Sequence, residues 1–281
     1  MKTSNKLLIT LAVLLIIVPI IVVAINAKIN YKPSTSGGFV EEQEINAEPF
    51  EKVSQDRIAI PINTSFSSVN VPDAKRIYLE LHLIKSAKSG VKVPTDMKND
   101  INFSINNTGA LQISFSDKLN RSGNHHNGVV ILVYSPKIDE LNLNNLSSLV
   151  LTAKVDTLNI NMKRSGSISF GSPITFSNLN GEFKGVINQT GIKQLNVNLD
   201  NASFYSSNSS YKNLVISSKN SSINIQGGEN SNNNIENLTI NTFGKSDFKM
   251  ENVIVNKISG SLSDETTIGM PAKYLKQMLK N

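Results

Sequence analysis

Hydrophobic residues follow one short pattern that recurs from residue 138 to the end of the chain. An apolar residue is followed by two free positions, a Leu or Val, one free position and another apolar residue. The clearest copies are Ile138–Leu143 and Val155–Ile160, and further copies begin at Phe176, Ile192, Tyr211, Ile235 and Met250. Gly181, in the third copy, is the one departure at the last position. The mean interval of about 19 residues is typical of stacked repeat proteins.

The spacing inside each copy indicates a β-strand. Leu141 and Leu143 are two residues apart and therefore face the same side of an extended chain, while Asn142 and Asn144 face the other side. Ile138 and Leu141 are three apart, so a bend is predicted between them. A second extended run lies midway through most intervals, at residues 149–151, 167–170, 183–187, 202–205, 222–225 and 247–250.

Two short strands and several turns per repeat describe one coil of a parallel β-solenoid, a β-helix or β-roll. One coil cannot bury its own apolar face, so the coils must stack with equivalent residues above each other. We therefore predict an all-β solenoid over residues 50–269. Asn also recurs after the Leu, at positions 142, 159, 180 and 196, and such residues either form a hydrogen-bonded ladder along the stack or simply face solvent.

The first 49 residues have a different pattern. Residues 7–26 are almost uninterruptedly apolar and are long enough to cross a bilayer as a single N-terminal transmembrane helix. Residues 1–6 carry Lys2 and Lys6 and are predicted to be cytoplasmic. A cleaved signal peptide, cut after Ala24, is the alternative, and either reading places the remainder outside the cytoplasm. Residues 27–49 show no apolar periodicity and are predicted to be a flexible linker.

Residues 50–135 show strands without a clear repeat. Strands are predicted at 57–62, 65–71, 76–84, 100–105, 110–115 and 128–134. The segment Asn106–Gly109 has the composition of a hairpin turn. His82 lies opposite Leu79, Leu81 and Leu83 in the alternation, so its side chain is predicted to be exposed.

A family resemblance rests on two stretches. Phe50 to Val53 opens the strand-rich region, and the strand Val129–Tyr134 leads into Ser135–Leu141 and the repeats that follow. The chain resembles the auto-transporter adhesin head GIN domain family of bacterial envelope proteins, DUF2807, over about residues 50–263. That resemblance implies an exported β-helical domain and brings no catalytic residues with it.

The C-terminal segment 270–281 is predicted to be a short helix. Pro271 suits a first helical turn, and Tyr274, Leu275, Met278 and Leu279 form one apolar stripe. Its predicted role is to cap the open end of the solenoid. The longest interval between repeats contains residues 227–234, which are predicted to be a surface insertion.

Composition narrows the function classes. The chain of 281 residues has no cysteine, which excludes disulfides and thiolate metal sites. Its net charge of +6 is spread over scattered lysines without an Arg-rich cluster, so nucleic-acid binding is not expected. A mild attraction to anionic envelope polymers is compatible with this charge.

Few residues qualify as candidate chemistry. Asp139 and Asp156 occupy equivalent repeat positions, as paired carboxylates do in solenoid enzymes that cleave polysaccharides, but later copies do not continue the pattern. We interpret both as surface charges beside lysines. The pair His125–His126 falls in a predicted hairpin loop without a neighbouring Cys or carboxylate, so no metal site is assigned. No catalytic, metal or cofactor-binding residue is predicted, and no cofactor is expected.

These observations predict a non-enzymatic module of the cell envelope. The chain is expected to be anchored in the membrane by its N-terminus, with its C-terminal domain in the periplasm or on the cell surface. The predicted role is adhesion or binding of an envelope glycan or protein. The alternatives are a structural or assembly partner of another envelope protein and, third, a polysaccharide-active β-helix enzyme.

Overall fold

The computed structural model describes residues 3, 6, 14–15, 17–23, 25, 49–54, 56–121, 128–171, 174–177, 183–187, 190–228 and 233–280. The chain divides into two compact units, Met1–Glu42 and Gln43–Asn281.

In the first unit, the described residues between 14 and 25 are helical, and their large apolar side chains are 47–68% exposed. No helix among the described residues is long and apolar enough to span a membrane. Half of the predicted anchor, 7–26, and nearly all of the linker, 27–49, lie outside the described residues, so both stay predictions.

The described residues of the second unit are mostly in strands, eighteen of which join one sheet. The strands before the repeats are β1 (Arg57–Pro61), β2 (Ser68–Val71), β3 (Tyr78–Lys85), β4 (Gly90–Pro94), β5 (Ile101–Ile105), β6 (Leu111–Phe115) and β7 (Val129–Ser135). The strands of the repeats are β8 (Glu140–Asn144), β9 (Ser148–Lys163), β10 (Ser167–Phe170), β11 (Ile174–Ser177), β12 (Phe183–Ile187), β13 (Gly191–Asp200), β14 (Ser203–Ser207), β15 (Tyr211–Lys219), β16 (Ser222–Gln226), β17 (Asn234–Phe243), β18 (Asp247–Glu251), β19 (Ile254–Ser261) and β20 (Thr267–Gly269). The described residues of this unit also form a 3-10 helix (Thr95–Asp100), α1 (Lys118–Arg121) and α2 (Ala272–Met278).

From β8 onward the chain alternates between two parallel ladders. The first ladder runs β9, β10, β14, β16, β18 and β20, and the second runs β8, β9, β13, β15, β17 and β19. The long strand β9 belongs to both because its first part pairs in the first ladder and its last part in the second. Each later strand therefore pairs in parallel with one that follows about a repeat further along the chain.

The inward positions of both ladders stack residue above residue. In the second ladder the register aligns Leu158, Leu195, Leu214, Leu238 and Ile258, all of which are 0–1% exposed. In the first ladder it aligns Leu149, Ile168, Phe204, Ile223 and Phe248, which are equally buried. Burial of one such side chain contributes about 1.5–3 kcal/mol. The predicted inward set is therefore the core of this unit.

The outward positions of the second ladder carry the predicted asparagine ladder. Asn161 donates a hydrogen bond from Nδ2 to Oδ1 of Asn142 at 2.8 Å, and Asn198 donates to Asn161 at 2.7 Å. A second row joins Asn196 to Asn159 at 2.7 Å. Of the two alternatives for these residues, the hydrogen bonds show the ladder, but Asn142 pairs with Asn161 and not with Asn159. Asn180 lies outside the described residues.

Corner residues explain this offset of two positions. Five strands of the second ladder, β8, β9, β13, β15 and β17, are each followed by a residue with positive φ: Asn145 (59°), Arg164 (46°), Asn201 (54°), Asn220 (50°) and Gly244 (62°). Asn and Gly adopt this left-handed conformation at the lowest cost. Backbone hydrogen bonds tie each corner to the next, such as Asn145 N to Lys163 O at 3.1 Å. A shift of two residues preserves which side chains face inward, so the corners decide the register.

Two of the predicted repeat copies are wrong. The copy beginning at Phe176 does not enter the main sheet: β11 and β12 pair with each other in antiparallel fashion, and β13 pairs directly with β9. The run 183–187, predicted as a second strand of that coil, is β12. The last copy begins at Val255, not Met250, because Val255 aligns with Ile235 and Ile258 with Leu238. Met250 belongs to the first ladder, over Ile225.

The region before the repeats joins the same sheet. β3 pairs in parallel with β7 and β9, and β2 pairs in parallel with β6 and β8. The hairpin of Asn106–Gly109 is confirmed, since β5 and β6 are antiparallel and Gly109 has a φ of 78°. Strand β4, which pairs with β1 and β7 in antiparallel fashion, and the helical segments after it were not predicted.

The C-terminal helix α2 packs against β19, the last strand of the second ladder. Tyr274 is buried, and its hydroxyl donates to Val253 O and accepts from Val255 N, each at 3.0 Å. The helix thereby occupies backbone groups at the terminal strand, as a cap requires. Leu279 is 77% exposed and follows the helix, so its predicted place in the apolar stripe is wrong.

Candidate binding groove

A groove of about 520 Å³ lies where β9 passes from the first ladder to the second. Its walls come from the ends of β3 and β7, from the segment before β8 and from the starts of β13 and the second half of β9. The register aligns Val155 with Ile192 and Thr157 with Gln194, but it leaves Asp156 and Lys193 out of the ladder. The bend predicted inside each repeat copy is therefore the feature that opens the groove.

Charged side chains dominate the groove rim. Four lysines and two aspartates line it: Lys85, Lys137, Lys154, Lys193, Asp139 and Asp156. Lys193 Nζ lies 2.7 Å from Asp156 Oδ1, and Lys137 Nζ lies 2.5 Å from Asp139 Oδ2. Within the described part of the chain, Lys85 and Lys154 have no ion-pair partner.

The ion pair at the bend changes the protonation chemistry of both partners. The hydrogen bond and charge of Lys193 lower the pKa of the Asp156 carboxyl below its ordinary value, and Lys85 adds to this effect. Conversely, the Asp156 carboxylate raises the pKa of Lys193. Both groups are solvent-exposed and fully charged at neutral pH.

The candidate carboxylates Asp139 and Asp156 therefore line the same groove. A glycoside hydrolase needs one carboxyl with a raised pKa to protonate the leaving group. The pKa of Asp156 moves in the opposite direction. Each carboxylate is engaged by its own lysine, which fits the prediction that both are surface charges beside lysines.

The histidines fall elsewhere. His82 is 1% exposed, so the prediction that it is exposed is wrong, and its Nε2 lies 2.7 Å from Glu80 Oε1. The reason is that the outer face of β3 is covered in part. Leu132 and Tyr134 on the adjacent β7 are buried with Phe50, which precedes the first strand. His125 and His126 lie outside the described residues. The described residues contain no group of three metal-ligating side chains.

The same outer face contains a buried lysine that sequence reasoning missed. Lys92 is 1% exposed and donates hydrogen bonds to Pro49 O at 3.1 Å and Lys52 O at 2.9 Å. Its ammonium lies 5.6 Å from the centre of the Tyr134 ring. The contact fastens the start of the domain onto the sheet and explains why the Phe50–Val53 opening belongs to the folded unit.

The sequence pattern did not predict that four lysines share one groove, although the sequence contains a repeated Lys–Asp pair. Lys137 with Asp139 and Lys154 with Asp156 occupy the same two places in the first two repeat copies. Lys85 and Lys193 come from other strands and join them only through the parallel pairing.

The described residues form a β-rich domain with stacked parallel strands, outward amide ladders and a charged groove. The family model described as "Putative auto-transporter adhesin, head GIN domain" matches residues 66–228, more than half of the chain. The chain belongs to this family.

Solved structures of other proteins are similar to the chain. A putative adhesin from Bacteroides fragilis is 12% identical and has a TM-score of 0.40 over 76% of this chain and 98% of that one. A putative adhesin from Parabacteroides merdae is 11% identical, with a TM-score of 0.35 over 73% and 95%. A putative lipid binding protein from Parabacteroides distasonis is 14% identical, with a TM-score of 0.31 over 74% and 98%. No curated protein matches the chain.

Proposed function

We propose that this chain is a membrane-anchored β-solenoid outside the cytoplasm that acts as a non-enzymatic binding or adhesion module of the cell envelope. Membership of the adhesin head GIN domain family supports the adhesion role. The exposed apolar side chains of the N-terminal helical residues support the anchor, because such a surface is stable when lipid covers it.

The solenoid assignment is supported by the two parallel ladders and the corners between them. Inward residues align over five successive strands in each ladder, and positive-φ residues follow five strands of the second ladder. A chain that winds at this regular interval brings equivalent residues above each other, as solenoids do.

The observation that carries the binding role is the groove. It has the volume of a small-ligand site and a rim of charges around apolar residues such as Ile84 and Val155. Both carboxylates form ion pairs with lysines, and the pKa of Asp156 is lowered, which favours binding over proton transfer.

The test uses the full chain in detergent micelles, immobilised and exposed to bacterial envelope extract. We expect retention of envelope material by the native chain and none by Leu195→Asp, which places a charge in the core. Retention should persist after proteolysis of the extract. Failure to retain any envelope component above the Leu195→Asp control would overturn the proposed function.

Two further outcomes identify the alternatives. Retention of a single protein without glycan would favour a structural or assembly role. Cleavage of a polysaccharide that disappears in the double variant Asp139→Asn/Asp156→Asn would favour an enzyme.

A further inference from the structure

We propose that the groove binds the anionic groups of a polymer that carries carboxylates or phosphates on a saccharide or polyol backbone. This inference rests on the proposed function, since it names the class of ligand for the same groove. Three features of the groove support the inference: the net charge of its rim, the absence of aromatic side chains from its described lining, and the apolar residues among that lining.

Charge balance makes the groove cationic. Four lysines face two aspartates, which gives a net charge of +2 within one cavity of about 520 Å³. Lys137 and Lys193 are each engaged by one aspartate, which leaves Lys85 and Lys154 as the two cations without an ion pair in the described chain. Like charges held in one concave surface attract counter-ions, so an anion entering the groove meets a favourable field.

The parallel fold places these two lysines together. Lys85 ends β3, and Lys154 lies on β9, which pairs with β3 up to the alignment of Leu83 with Ala153. Lys85 is also close enough to Asp156 to lower the pKa of that carboxyl. Both lysines are exposed, so their ammonium groups reach solvent while the backbone beneath them is held by strand pairing.

The residue types narrow the ligand class further. The described lining contains no Arg and no aromatic side chain. Bidentate recognition favours Arg, whereas lysine binds as a point charge and accepts carboxylate or phosphate alike. Binding of single-stranded nucleic acid relies on aromatic platforms for the bases. A saccharide or polyol backbone needs no such platform.

The floor suits the uncharged part of such a repeating unit. Ile84, Pro136 and Val155 supply apolar surface between the lysines. Carbon-bound hydrogens of a sugar or glycerol unit can pack there while its anionic group reaches the rim. The overall charge of +6 assists the approach of a polyanion.

The experiment measures binding of the full chain in detergent micelles to three immobilised polymers: polygalacturonate, poly(glycerol phosphate) and neutral dextran. We expect binding to at least one of the two anionic polymers, weakening as salt rises from about 50 mM to 500 mM because screening increases, and none to dextran. Binding to only one anionic polymer would identify the group that the groove selects.

Variants assign the binding to the groove. Lys85→Gln and Lys154→Gln should each weaken binding about two- to five-fold, and the double variant about ten-fold, as removal of partly screened charges implies. Lys257→Gln, the same charge change at an exposed position outside the groove, should have no comparable effect. Asp156→Asn should strengthen binding, because it releases Lys193 and removes a negative charge.

The results separate this inference from the proposed function. Envelope retention that is equal in the native chain and the Lys85→Gln/Lys154→Gln variant would overturn the groove assignment and leave the binding role standing. Equal weakening by Lys257→Gln would also overturn it, because the effect would then belong to the overall charge. Binding to neither anionic polymer would overturn the ligand class.

Discussion

Truncation of one core leucine gives a quantitative test of the inward stack. Leu195 is 0% exposed and lies between Leu158 and Leu214 in the second ladder. Leu195→Ala removes three buried carbons, or about 2.4 kcal/mol at ~0.8 kcal/mol each. A residual cavity of about 50 Å³ adds about 1.2 kcal/mol. We expect a loss of about 3–4 kcal/mol in the free energy of unfolding, because strands on both sides prevent the site from collapsing.

Urea unfolding of the full chain in micelles, followed by far-UV circular dichroism, measures this loss. With a slope of about 2 kcal/mol per molar urea, the midpoint should fall by about 1.5–2 M. Val215→Ala is the matched control: it truncates an apolar side chain on an adjacent strand at a half-buried outward position, so its cost should stay below about 1 kcal/mol. Equal losses for the two variants would refute the assignment of inside and outside.

Three further predictions use the same unfolding measurement. Asn161→Ala removes two ladder hydrogen bonds and should cost about 1 kcal/mol, whereas the exposed Asn256→Ala should cost almost nothing; similar values would argue against the ladder. Asn208 has a φ of 51°, so Asn208→Ala should be less stable than Asn208→Gly by about 0.5–1 kcal/mol, and the reverse order would contradict the corner geometry. Burial raises the pKa of Tyr211 from 10.0 to about 12. The folded state therefore keeps a proton that the unfolded state releases, and the resulting stability is present below pH 10 and disappears as the pH rises through 12. Tyr211→Phe should flatten that decline, and parallel pH curves for the two proteins would exclude this role.

The strand register could not be predicted from the repeat pattern alone. The alternation of apolar and polar residues in Leu141–Asn144 correctly predicted the inward and outward faces. The partner of each residue was less accessible, because sliding a strand by two positions leaves every side chain on the same face. Left-handed corners such as Asn145 and Arg164 decided the alignment, and Arg164 gives no sequence signal for positive φ.

The outer face of β3 shows a second limit. His82 alternates with Leu81 and Leu83, and this pattern predicts that its side chain is exposed in an isolated strand. Burial of the outer face of β3 depends on Phe50 and on the segment Pro49–Lys52, whose carbonyl groups accept hydrogen bonds from Lys92. That segment precedes β3 by about 30 residues. Local patterns carry no information about a segment that folds back from elsewhere in the chain.

Side-chain periodicity within a few residues was enough to predict the β-rich class, the repeating strands, the inward leucines, the outward asparagines and the C-terminal helix. The strand pairing, the departure of β11 and β12 from the main sheet, and the meeting of Lys85 and Lys193 with Lys154 and Asp156 in one groove became apparent in the three-dimensional fold. The physical reason is that strand pairing in a parallel ladder joins residues a full repeat or more apart. The register of the paired strands depends on corner geometry and on burial summed over the whole stack. No single stretch of sequence contributes enough free energy to specify that register.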